Sequence, residues 1–200
     1  SLRRAVLVGT DLSGAGLDKA DLTGALRAPP ALIYIDDMPL WEVLEIHELF
    51  CRTEGREGKT ARTDGVDFRP LRRLKGRTLT GLAAPGGIFY GMDMEGAQLQ
   101  GANLAGADLR GAKLKGADLR GARLMDAQMT RADLSGARLG PLQIGPERFL
   151  RTDLTRAVLR GADFRGASAP RARFLEADLS LARLEGCDLA GAELPATSAS

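Results

Sequence analysis

His47, Glu48 and Cys51 lie within five positions of one another, a grouping that could in principle hold a metal. A His-Glu pair opens the zinc-protease helix pattern, in which a second histidine four residues on completes the ligand face. That position is Cys51, and the chain has one histidine, so the metal pattern is incomplete. His47 is better read as a partly packed helix residue. A second feature is Gly55, Gly58, Lys59 and Thr60, which looks like the end of a phosphate loop. The leading glycine of that loop would fall at Thr53, and the segment follows an expected helix instead of a core strand. Seven aspartates (Asp108, Asp118, Asp133, Asp153, Asp163, Asp178 and Asp188) each precede a large apolar residue. Their regular recurrence argues for bonds to nearby backbone rather than acid–base pairs. Cys187 occupies a small apolar position and reads as packing. No nucleophile–base set is present. The chain is therefore expected to be no enzyme, with no catalytic residue, no metal and no cofactor.

The elements that position these residues follow a period of five. From Met94 to Leu194 there are 21 consecutive apolar centres spaced by five, and only Ala169 is small. The residue two before each centre is Ala in 16 cases; Met92, Leu142, Glu147, Thr152 and Cys187 are the exceptions. In an α-helix this stripe would drift around the axis, and in a strand it would alternate faces. Both positions can face inward only if the chain turns a corner every quintet. Four quintets would close a coil of about 20 residues, and coils would stack at about 4.8 Å. Glycine suits the corner because positive φ costs it little.

The composition agrees. The chain has 200 residues, of which 32 are Leu, 30 Ala and 25 Gly, with 4% aromatics. A net charge of +2 excludes a strongly polyanion-binding or DNA-mimicking character in the total. Two cysteines form no disulfide framework, which leans toward a reducing, cytoplasmic setting. No apolar run is long enough for a membrane span.

The quintets ADLRG, ANLAG and ADLSG match the consensus of the pentapeptide-repeat family, which this chain resembles. The resemblance implies an all-β solenoid, a right-handed quadrilateral β-helix, with a partly helical insertion. A first coil is expected over 1–26, with centres Leu7, Leu12, Leu17 and Leu22, in a different phase from the later ones. It either stacks on the main tube, the preferred reading because a single coil cannot bury its own interior, or stands as a small separate unit. An insertion occupies 27–78, the main repeat 79–196 and a tail 197–200.

Within the insertion, residues 31–35 read as a short strand. Asp37 then reads as a helix cap, with Pro39 in the first turn. A helix from about Leu40 to Arg52 would pack through Leu40, Val43, Leu44, His47 and Cys51, joined by Trp41. It is expected to cover an end or side of the tube. At 140–151 two prolines replace corner residues and Glu147 takes a nominally interior place, so the backbone bulges or Glu147 turns outward.

Counting in steps of 20 places Arg131, Arg151 and Arg171 at one outward position in three successive coils, with Arg110 and Arg148 nearby. This basic ridge is a candidate contact surface for an anion or an acidic protein partner. The expected role is a non-enzymatic scaffold or protein-interaction module, with specificity in the ridge or the insertion. The family resemblance also implies an alternative, gyrase protection by DNA mimicry, which the +2 charge and the basic ridge disfavour. Nucleic acid is not expected as a partner, because exposed aromatics do not interleave the arginines. Homodimer formation is compatible with the repeat.

Overall fold

The computed structural model describes residues 1–8, 10 and 20–196 and divides the chain into two compact units, Ser1–Ala31 and Leu32–Ser200. In the first unit Val6 and Leu26 form a parallel bridge, and Leu26 is buried. The expected centres Leu12 and Leu17, and the tail 197–200, lie outside the described residues.

In the second unit the five-residue period produces a run of single-residue parallel bridges. Thr78 bridges Gln98, Gln98 bridges Asp118, and Asp118 bridges Arg138. Between bridges the chain turns. Leu99, Leu104, Leu109 and Leu114, with Ala97, Ala102, Ala107 and Ala112, are wholly buried. The paired inward positions read from the sequence are thus the core. All seven aspartates accept the backbone N–H two residues on, at 2.9–3.2 Å. Corner glycines such as Gly116 have φ near +63.

The expected fold class needs correction. The described residues contain two two-stranded antiparallel sheets and no closed or curled sheet, so the chain is not a continuous right-handed β-helix solenoid. The reason lies in the quintet itself. One residue in five joins its neighbour across the ladder and, one residue further on, two turn, so no run of consecutive paired residues forms a strand.

The bridges begin at Arg62, inside the stretch that lacks a visible repeat in the sequence. Arg62↔Ala83 and Asp67↔Ile88 span 21 residues, whereas Arg73↔Asp93 spans 20. A 3-10 turn at Arg69–Leu71, followed by Arg72 at φ 62, takes up the extra residue and shifts the phase.

Before Arg62 the chain forms β1 (Tyr34–Ile35), β2 (Met38–Pro39) and α1 (Leu40–Arg52). Asp36 and Asp37, at φ 49 and 62, form the two-residue turn between the strands. Asp37 is therefore a turn residue, and α1 begins after Pro39 with no side-chain cap. Leu40, Val43, Leu44 and His47 are buried.

The second interruption is an antiparallel hairpin of β3 (Leu142–Gly145) and β4 (Arg148–Leu150). Ile144 and Phe149, counted as inward centres in the sequence, are exposed here. Glu147 is exposed at φ 57 in the hairpin turn. The outward alternative for Glu147 holds because the whole ten-residue segment leaves the core.

Candidate interaction surface

The hairpin changes which residues stack. From Arg73↔Asp93 to Asp118↔Arg138 the bridges join residues 20 apart, but Arg123↔Asp153 through Arg138↔Ser168 join residues 30 apart. Arg131 accordingly donates its N–H to Arg160, and its Cγ lies 3.7 Å from where a Cβ on Gly161 would stand. Arg151 instead meets Arg171: its Nε donates to the Arg171 carbonyl at 2.6 Å. The predicted ridge is therefore divided. Arg110 and Arg131 share the face carrying Asp108, Gln128 and Val158, while Arg151 and Arg171 stand at the corner from which the hairpin departs. Ten residues are two quintets, so the interruption carries Arg131 two faces away from Arg151.

The local surroundings differ as well. Arg110 donates to Asp108 at 2.6 and 2.8 Å and lies over the Tyr90 ring, 5.5 Å from its centroid. Arg151 pairs with Glu193 at 2.5 Å. Among the described residues, Arg131, Arg148 and Arg171 have no carboxylate within salt-bridge distance. Hairpin residues Leu142 and Leu150 pack over Gly121, while Phe149 is 52% exposed beside exposed Ile144 and Leu150. Exposed apolar side chains thus stand in sequence and strand beside Arg148 and Arg151, and Arg151 in turn reaches Arg171. Sequence reasoning missed this apolar part because Ile144 and Phe149 keep the five-residue spacing.

The insertion residues separate in the same way. Leu44 and His47 are fully buried, whereas Trp41 is 47% exposed and lies off the packed face. His47 Nδ1 accepts the Ala61 N–H at 3.1 Å, which places the ring proton on Nε2, 3.6 Å from Cys51 Sγ. Cys51 Sγ donates to the Thr80 carbonyl at 3.4 Å. Burial holds His47 below its usual value and pushes the Cys51 thiol up. A catalytic Cys–His pair needs the opposite shifts, toward thiolate and imidazolium, so this pair is structural. Glu48 turns away from both and accepts from Arg77 at 2.7 and 3.0 Å and from the Thr78 N–H at 3.0 Å. Among the described residues no group of three or more His, Cys, Asp or Glu side chains could hold a metal ion. Likewise, no helix there is long and apolar enough to cross a membrane.

Gly55 and Gly58 do not form a phosphate cradle. Gly58 has φ 76, and a Cβ there would stand 2.3 Å from the Ile46 carbonyl oxygen. The glycine lets the returning loop pass against α1.

A ladder of short turns, interrupted by one apolar and basic hairpin and preceded by a helix-containing insertion, defines a repeat protein that presents surface instead of a reactive centre. The pentapeptide-repeat family model matches residues 1–26, 86–116, 102–140, 148–186 and 157–194, and the chain belongs to that family. Its members act in general as scaffolds and protein-interaction modules.

Among solved structures, the chain is similar to HetL, a pentapeptide repeat protein involved in heterocyst differentiation regulation from the cyanobacterium Nostoc sp. Strain PCC 7120. The identity is 30% over 63% of this chain and 65% of that one, with a TM-score of 0.39. This chain therefore spans just under two thirds of HetL. A pentapeptide repeat protein from the cyanobacterium Cyanothece 51142 is 21% identical over 67% of this chain and 88% of that one, with a TM-score of 0.35. Full-length QnrB1, a plasmid-mediated fluoroquinolone resistance protein, is 17% identical over 68% and 85% of the two chains, with a TM-score of 0.22. A comparison with curated proteins gave no match.

Proposed function

We propose that this chain is a non-enzymatic interaction module whose protein partner docks on the β3–β4 hairpin. The observation that supports this reading most directly is the exposure of Ile144, Phe149 and Leu150 on a segment that leaves an otherwise buried apolar repeat. Arg148 lies in the hairpin beside that apolar patch with no carboxylate partner among the described residues, so the matching surface is apolar with an acidic group facing Arg148. Arg110 and Arg131 are assigned no part in this contact, because they lie on another face. The helix-containing insertion, with exposed Trp41, is a separate surface.

The test is affinity capture from native extract with the whole chain and with Pro141–Leu150 removed. A partner bound through the hairpin is captured by the first and lost by the second, and its capture weakens as salt rises. Arg148→Gln with Phe149→Ser should reproduce the loss. Capture of the same partner by all three chains, at any salt concentration, overturns the assignment.

A further inference from the structure

The geometry points to a binding site for a small carboxylate carrying an apolar group, in the cavity between the β1–β2 hairpin, α1 and the first residues of the ladder. The cavity holds about 210 Å³. Its apolar lining comes from Ile35, Met38 and Val43, on three successive elements, and its polar lining includes Asp36, Lys59 and Arg62. None of these residues falls in the segments the pentapeptide-repeat family model matches or in the β3–β4 hairpin.

Charge makes the site selective for an anion. Some basic side chains along this chain carry an acidic partner, as in Arg69–Asp67, Arg77–Glu48 and Arg120–Asp118. Lys59 and Arg62 have none within salt-bridge distance among the described residues, yet both line one cavity. Asp36 is the sole carboxylate lining it, leaving a net charge of +1. A single negative charge balances that site, and a second would face Asp36.

Arg62 adds a backbone donor. Further along the ladder the bridging residue donates its N–H to the preceding turn, as Asn103 does to Leu82 and Arg123 to Ala102. Arg62 opens the ladder and has no preceding turn. Among the described residues its N–H has no acceptor, while the adjacent Ala61 N–H is taken by His47. A carboxylate oxygen would satisfy that donor and both cations.

The lining and the size select the rest of the ligand. An aliphatic group over Ile35, Met38 and Val43 removes apolar surface from water, which inorganic phosphate cannot do. The volume, about 210 Å³, accommodates a branched six-carbon acid. The same chemistry occurs at the end of a polypeptide whose last residue is apolar.

The test is an amide and methyl NMR titration of the full chain with 4-methylpentanoate. Saturable shifts are expected at Val43 and Ala61–Thr63, with a Kd on the order of 1 mM. The neutral analogue 4-methylpentanol and inorganic phosphate should each bind at least about tenfold more weakly. Lys59→Gln with Arg62→Gln should abolish saturation, and the single Lys59→Gln should weaken it; unchanged core resonances establish that both are folded. Gly-Gly-Leu with a free carboxylate distinguishes the source. Tighter binding than the free acid assigns a chain terminus, weaker binding assigns a small metabolite, and amidated Gly-Gly-Leu should fail in either case. Equal binding of the alcohol, the phosphate or the amidated peptide overturns the site, as does full retention by the double variant.

Discussion

The Thr152 hydroxyl accepts the Gly121 N–H at 3.0 Å, closing the ladder where the hairpin interrupts it. Elsewhere a corner glycine donates to a carbonyl of the next turn, as Gly101 does to Arg120 at 2.9 Å; Gly121 reaches Gly140 at 3.3 Å. The same hydroxyl lies 3.1 Å from the Leu119 carbonyl and 3.2 Å from that of Gly140. Threonine thus stands at a position that is otherwise mostly alanine, and its oxygen supplies what the displaced turn does not. Thr152→Ala should fit without strain and cost about 1–2 kcal/mol through the weakened buried donor. Chemical denaturation measures it, and a cost near zero would show that the Gly140 carbonyl suffices.

Removing Pro141–Leu150 joins Gly140 to Arg151 and leaves Ala137, Leu139, Thr152 and Leu154 in unbroken five-residue spacing. This ten-residue deletion should fold, because it takes out no fully buried residue. Arg131 and Gly161, which stack across 30 residues in the full chain, would then be 20 apart, so the ladder keeps its pairing while Arg131 and Arg151 stay two faces apart. In this background Thr152→Ala should cost less than in the full chain, since Gly121 meets a regular turn. A double-mutant cycle by denaturation gives the coupling; equal costs in both backgrounds would separate Thr152 from the hairpin.

Corner residues that are not glycine carry strain. Leu181 sits at φ 60 with its side chain 82% exposed, so it is left-handed and has little packing to offset the cost. Leu181→Gly should stabilise the chain by about 1 kcal/mol, and Gly116→Leu should destabilise it by a similar amount. Thermal melts of the two variants should move in opposite directions.

Gly58→Ala tests the contact between the returning loop and α1. The new methyl would stand 2.3 Å from the Ile46 carbonyl oxygen and 2.7 Å from the Phe50 nitrogen, at a positive φ. A loss of about 2–3 kcal/mol, or local release of the insertion in amide exchange, is expected. Full stability would mean that the loop can move aside at little cost.

Acid should loosen the contact between α1 and the first turn of the ladder in two stages. Burial holds His47 below its ordinary value of about 6.5, so the unfolded chain takes up its proton first. The resulting stability is complete above about pH 6.5 and is lost as pH falls through the depressed value. Charging His47 also sets a proton against the Ala61 N–H. Burial acts to raise Glu48, but the Arg77 guanidinium and the Thr78 N–H outweigh it and hold the carboxyl below its usual range. That contribution disappears only below about pH 4.5. In melts taken against pH, His47→Gln should flatten the first stage and leave the second. An unchanged profile would remove His47 from the acid response.

The sequence alone determined the paired Leu and Ala interior and the role of the aspartates, because each is repeated locally every five residues. It also located α1, since the apolar stripe at Leu40, Val43, Leu44 and His47 is a helical period within one segment. What it could not place was the phase between distant turns. The hairpin inserts two whole quintets, so Ile144 and Phe149 keep their spacing while leaving the core and separating Arg131 from Arg151. One extra residue at Arg69–Leu71 hides the opposite way, breaking a pattern that the backbone bridges continue across. The cavity beside Lys59 and Arg62 likewise depends on how β1, β2, α1 and the first ladder residues pack. Such register is set by long-range backbone pairing and by which apolar groups fit the interior, and neither leaves a mark within a single quintet.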